Sequence, residues 1–170
     1  MNLESALLKE HSKKQCAGIV EYVGADKKKF ARLITLFFKG EYRITQRAAW
    51  PISYCIQAHP GFIAPYYKKI VQLLKRRDVH PAVTRNILRL LQYVEIPKSW
   101  QGEIMNSCFQ FISDPQEASA AKAFSLTILE NLLKVYPEIL PELKLVIEER
   151  WNTETPSFKA RAKKILLKKV

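Results

Sequence analysis

Apolar residues along this chain recur with the period of an α-helix. Ile87, Leu90, Leu91 and Val94 fall at i, i+3, i+4 and i+7. Ile63, Ile70, Val71 and Leu74 keep to one face in the same way, as do Leu143, Val146 and Ile147 with Trp151. Residues so spaced line one side of a helix. No useful length alternates with period two, so the pattern predicts helices and no strands. The breaks are also readable. Gly40 stands where a C-terminal glycine cap would. Asp114-Pro115-Gln116-Glu117 has the order of an N-cap, a first-turn proline and a capping-box acid. His80-Pro81 and Thr155-Pro156 carry the same signal more weakly. Pro51 alone sits inside a helical pattern, where it should kink the helix.

One stretch is written twice. HPGFIAPYYKKIVQLLKRR begins at His59 and YPEILPELKLVIEERW at Tyr136. Each reads ring, proline, apolar pair, second proline, then an amphipathic run. Aligning the chain on itself at about 38 residues extends the likeness. An acidic or hydroxyl residue opens each unit (Glu41, Asp78, Asp114, Thr155), and a basic residue follows one to two turns later (Arg47, Arg85, Lys122, Arg161). A proline marks the bend into a second helix at Pro60, Pro97 and Pro137. The predicted units are 41–77, 78–113 and 114–154, with a closing helix at 155–170 and a degenerate first pair within 1–40. Together they form one repeat domain, 1–170.

This pattern resembles the HEAT repeat family of α-solenoids. The resemblance rests on Asp78, Pro81, Val83 and Arg85, on Asp114-Pro115 with Lys122, and on Pro156 with Arg161. It covers residues 41–170. The chain as a whole is similar to small stand-alone HEAT-like bacterial proteins of unassigned function. The resemblance implies an all-α fold, a short right-handed α-α superhelix of about four helix pairs. In such stacks one pair cannot bury its apolar face alone, and neighbours share a continuous core. It also implies that the second helix of each pair lines the concave side. The terminal segment SFKARAKKILLKKV suits a cap, with Phe158, Ala162, Ile165 and Leu166 inward and lysines outward.

Charge adds a direction to this picture. Of the net +12, residues 1–85 hold 16 basic and 6 acidic side chains, residues 86–149 hold 5 and 9, and the last 21 residues hold 7 and 1. A positive field of this kind attracts acidic partners without dictating fold. The scarcity of glycine, 5 in all, argues against glycine-rich phosphate loops. Cys16, Cys55 and Cys108 are odd in number and set among apolar residues, as small buried hydrophobes of a reducing compartment would be. The charged N-terminus shows no export signal and no apolar run is long enough to span a membrane, so the expected location is cytoplasmic.

Candidate chemistry is sparse. The recurring acid-then-base pair reads as an ion ladder between repeats, since an active site is needed once and not once per repeat. His59 corresponds to Tyr136, so that position takes a ring without needing its ionisation. No zinc spacing, nucleophile elbow or Walker loop is present, which leaves no catalytic residue, no metal and no cofactor to name. The informative segment is PYYKKIVQLLKRRD. Lys68, Lys69, Gln72, Lys75 and Arg76 form a polar, basic stripe opposite Ile70, Val71 and Leu74. With Trp100 as a hydrophobic anchor, they are the expected partner-binding residues of a non-enzymatic interaction module that takes a protein partner, acidic by complementarity, on its concave face. Lys75, Arg76 and Arg77 also suit the negative end of a helix dipole. The alternative is a nucleic-acid-binding protein using the same stripe and the terminal cluster Lys159, Arg161, Lys163, Lys164, Lys168 and Lys169. A glycosylase like the DNA-alkylation-repair enzymes would need an aspartate inside a helix facing an aromatic cleft. Asp26, Asp78 and Asp114 all read as boundary residues.

Overall fold

A computed structural model describes residues 1–39, 41–76 and 78–169. The predicted cap at Gly40 and the dipole role of Arg77 lie outside the described residues. Among these residues there are ten α-helices and no strand. They fall into two compact units, Met1–Glu95 and Ile96–Val170.

The first unit contains α1 (Leu3–Lys9), α2 (Lys13–Val23), α3 (Lys27–Lys39), α4 (Tyr42–Ala58), α5 (Tyr67–Lys75) and α6 (Pro81–Leu91). Helix α3 starts because the Asp26 carboxylate accepts from the backbone N–H groups of Lys28 (2.8 Å) and Lys29 (3.1 Å). Those bonds hold the Asp26 carboxyl below its ordinary range. Phe30, Leu33, Ile34 and Phe37 then recur at helical spacing and are buried. Helix α4 is the hub, packing against α1, α2, α3 and α6. Its buried face is broad, including Ile44, Ala48, Ala49, Ile52, Cys55 and Ile56, and the two alanines let neighbouring backbones approach closely. The helix runs through the buried Pro51 without interruption. One turn earlier the Arg47 guanidinium reaches out, and its Nη1 donates to the carbonyls of Leu7 and Leu8, each at 2.9 Å. These are last-turn carbonyls of α1, which a cation satisfies well.

The second unit contains α7 (Lys98–Ser113), α8 (Ser119–Leu132), α9 (Leu140–Arg150) and α10 (Pro156–Leu166). Helix α8 packs against α7 and α10, and α7 also packs against α9. Helices two apart in the chain thus stack in both units: α4 on α6, α8 on α10, α7 on α9. Stacked hairpins produce that signature, because each helix meets its equivalent in the next hairpin. Phe158, Ala162 and Ile165 are fully buried on the last helix, and Leu166 is half-buried.

The duplicated stretch makes the same turn twice. His59 has φ −136° and ψ 75°, and Tyr136 has φ −126° and ψ 67°. In each, the ring residue's N–H closes the preceding helix on a carbonyl four residues back, Cys55 at 2.8 Å and Leu132 at 2.9 Å. Its own carbonyl accepts from the residue three further on, Phe62 at 3.0 Å and Ile139 at 3.3 Å. A 3-10 segment follows, Pro60–Tyr66 or Pro137–Ile139, and then α5 or α9. Proline suits its first position, having no N–H to leave unpaired.

Two local expectations are corrected. Asp114 does not open α8, which begins at Ser119. Its carboxylate instead accepts from the Gln116 N–H (2.9 Å) in a turn that ends α7. The ion ladder is not built as expected either. His80 caps α6, its Nδ1 accepting from the Ala82 N–H at 3.1 Å. Asp78 pairs with Arg76. Lys122 donates to Glu154 at 2.7 Å, and Arg161 donates to the Thr127 hydroxyl at 3.1 Å. Arg47, Lys122 and Arg161 thus tie neighbouring helices together, through α1 carbonyls, Glu154 and Thr127.

Candidate functional site

Helix α5 carries the predicted stripe. Tyr67, Ile70, Val71 and Leu74 bury its inner face, and the Tyr67 hydroxyl donates to the Glu95 carbonyl at 3.3 Å. Burial pushes that phenol up to about 12, so it stays protonated. With four apolar anchors fixed, the helical period turns Lys68, Lys69, Gln72, Lys75 and Arg76 to solvent, and all five are exposed. Lys69, Gln72, Leu73, Lys75 and Arg76 line an open groove of about 420 Å³.

Three contacts shape this groove that the stripe alone did not reveal. Half-buried Leu73 gives it an apolar patch. The Lys69 ammonium lies 5.4 Å over the ring of Phe38, on α3, which restrains a side chain that would otherwise be floppy. Asp78 grips Arg76 with both oxygens: Oδ1 accepts from Nε at 2.9 Å and Oδ2 from Nη2. The Arg76 hydrogen bond holds the Asp78 carboxyl down at about 2, so the carboxylate is charged throughout the physiological range. The pair fixes the guanidinium and also cancels one positive charge. An arginine two residues before an aspartate is the sequence signal that marks it.

Trp100, the sixth predicted residue, belongs to the second unit. It is half-buried in the first turn of α7, where its backbone N–H donates to the Pro97 carbonyl at 2.8 Å. Several cations of the terminal cluster are engaged within that unit. Lys159 lies over the Trp151 ring, Arg161 over Phe124, and Lys168 stands 3.4 Å from Glu130.

Groups with chemical reactivity are arranged for packing. His11 lies against Trp50, His59 stacks on Phe62 and His80 meets Tyr42, with centroids 4.8–5.3 Å apart. Cys16, Cys55 and Cys108 are free and buried. Burial pushes Cys16 and Cys55 up to about 11 and Cys108 to about 12, which keeps them as unreactive thiols at neutral pH. Among the described residues no three of His, Cys, Asp and Glu are grouped to hold a metal ion, and no helix is long and apolar enough to cross a membrane.

No curated protein and no solved structure matches the chain. HEAT repeats in general serve as protein-interaction scaffolds and are typically non-enzymatic. The HEAT repeat domain profile matches residues 3–169, covering both compact units, and the chain therefore belongs to that family.

Proposed function

We propose that this protein is a non-enzymatic interaction module and that the α5 face, in the first unit, binds an acidic protein segment. The observation that carries this reading is the α5 groove, with cations along its rim and Leu73 between them. Residues 1–95 around it hold 17 basic and 7 acidic side chains. A field of that sign speeds encounter with an acidic partner, and the rim charges set orientation. Helix α5 is the second helix of its pair, the one expected on the concave side. Trp100 is a separate aromatic anchor on the second unit. We read the repeats as 41–77, 78–113 and 114–154, between the degenerate pair in 1–40, whose first member is broken into α1 and α2, and the closing helix at 155–170. A cytoplasmic setting suits three free buried thiols.

Nucleic acid fits the same groove less well. Leu73 sets an apolar patch inside the groove, which a phosphate backbone has no group to meet, and the terminal cluster is partly engaged with Glu130, Trp151 and Phe124. Fluorescence anisotropy separates the two. The probes are a labelled helical peptide with Glu and Leu at i, i+3, i+7 spacing, and a mixed-sequence oligonucleotide. The peptide should bind, and K69E/K75E should weaken it by about tenfold or more with unchanged circular dichroism. Equal binding by the variant, or oligonucleotide binding alone with a steep salt slope, would overturn the reading.

A further inference from the structure

Helix α9 is the repeat equivalent of α5, and it shows solvent a face of opposite charge. Setting Pro141 on Pro65 places Leu145 at Lys69, Glu148 at Gln72 and Glu149 at Leu73. Glu142, Glu148 and Glu149 are exposed, and Leu145 among them is 65% exposed. An apolar side chain held out between carboxylates is the composition of a small docking face with a central anchor and a charged rim.

The spacing also matches. On α9, Glu142, Leu145 and Glu149 fall at i, i+3 and i+7, one stripe of a helix. On α5, Lys69, Gln72 and Arg76 fall at the same intervals, with Leu73 beside the middle position and Lys75 beside the last. Laid antiparallel, two such helices bring Glu149 to Lys69 and Glu142 to the Lys75 end, where Asp78 already pairs with Arg76, on either side of a contact between Leu145 and Leu73. The α9 face thus has the sign, the anchor and the spacing that the α5 groove requires.

We propose that the α5 groove takes the α9 face of a second copy of this chain. This rests on the reading of α5 as a docking face and names one occupant for it. The two faces differ, so the contact is heterologous: copies join head to tail, closing into a ring if the rotation allows and otherwise extending as a chain. The net charge of +12 repels copies at long range. Salt near physiological strength screens that repulsion beyond about 8 Å and leaves the short contacts in place. The association is therefore weak and rises with concentration.

Sedimentation equilibrium of the full chain at about 150 mM salt tests this. The wild type should show a weight-average mass above 19.7 kDa that climbs with concentration. K69E/K75E, with both faces acidic, and E142K/E149K, with both basic, should each remain at the monomer mass. An equimolar mixture of the two should associate again, because the acidic α5 of one then meets the basic α9 of the other. A wild type that stays at 19.7 kDa overturns the inference, as does association that persists in either variant alone. Should the wild type stay monomeric while the acidic peptide still binds α5, only this inference falls. Should neither occur, the docking reading of α5 falls with it.

Discussion

At His59 and at Tyr136 the chain makes the same turn, with matching backbone angles and matching hydrogen bonds. Beyond the turn, the buried positions remain alike. Tyr67 and Leu143 are equivalent and buried, and so are Val71 and Ile147. The solvent positions do not. Where α5 presents lysines and an arginine, α9 presents Leu145 and glutamates. The fold thus resides in the ring, the prolines and the inward apolar stripe, which keep their character in both copies though not their identity. Under the proposed function, partner choice resides in the outward positions, where a change of charge leaves packing untouched. The two units also differ in how they are fastened. The first uses Arg47 on the carbonyls of α1, whereas the second buries an ion cluster in which Lys122 and Arg150 share Glu154.

That second difference gives the largest expected effect. Lys122 and Glu154 have side chains only 4% and 3% exposed. Glu154→Ala should destabilise the second unit by about 3–5 kcal/mol, because it leaves a buried cation unpaired. Hydrogen exchange should show the loss in α8 and α10, with α3 and α4 little changed. Lys122→Met with Glu154→Leu should recover much of it.

Next come the turn and the helix that follows it. Leu143→Ala should cost about 3 kcal/mol as a cavity. Tyr136→Phe should cost about 1–2 kcal/mol, since the Tyr136 hydroxyl donates to buried Gln101 Oε1 at 2.9 Å. His59→Tyr should stay within about 0.5 kcal/mol, because the position requires a ring and not a titrating group. Urea unfolding measures all three. A large loss in His59→Tyr would break the equivalence of the two bends.

The thiols give a pH dependence. Their ordinary value is 9.0, and burial raises them to about 11 and 12 in the folded protein. Above pH 9 the unfolded chain releases those protons first, so their contribution to stability is full below that pH. It is lost as pH rises through the folded values. Native protein at pH 8 should leave all three unreactive to a thiol reagent, and denatured protein should expose them. The smallest effect is at the groove edge. Asp78→Asn removes the charge that offsets Arg76 and should tighten acidic-peptide binding a few-fold, read by the same anisotropy titration.

Much of this was legible in the residues. Helical period located the elements, and ring-plus-proline located the bends, because both are local features. The α5 stripe was legible for the same reason, since Ile70, Val71 and Leu74 at helical spacing dictate which lysines face water; the buried fourth anchor, Tyr67, was not, because a tyrosine beside a basic stripe suits an exposed stacking surface as well. Partners far apart in sequence left no local mark. Arg47 meets carbonyls 39 and 40 residues away, and Lys122 meets Glu154 across 32. Asp114-Pro115 misled because an aspartate before proline suits a turn as well as a cap. Phe38 under Lys69 is a tertiary contact, and nothing in the α5 segment announces it.

The α5 groove as a docking face for acidic helical segments is tested most directly by amide chemical shifts. The labelled full chain would be titrated with the acidic Glu/Leu peptide. Shift changes concentrated on residues 68–76 and on Phe38 are predicted. Changes centred on another face, with residues 68–76 unmoved, would contradict the account.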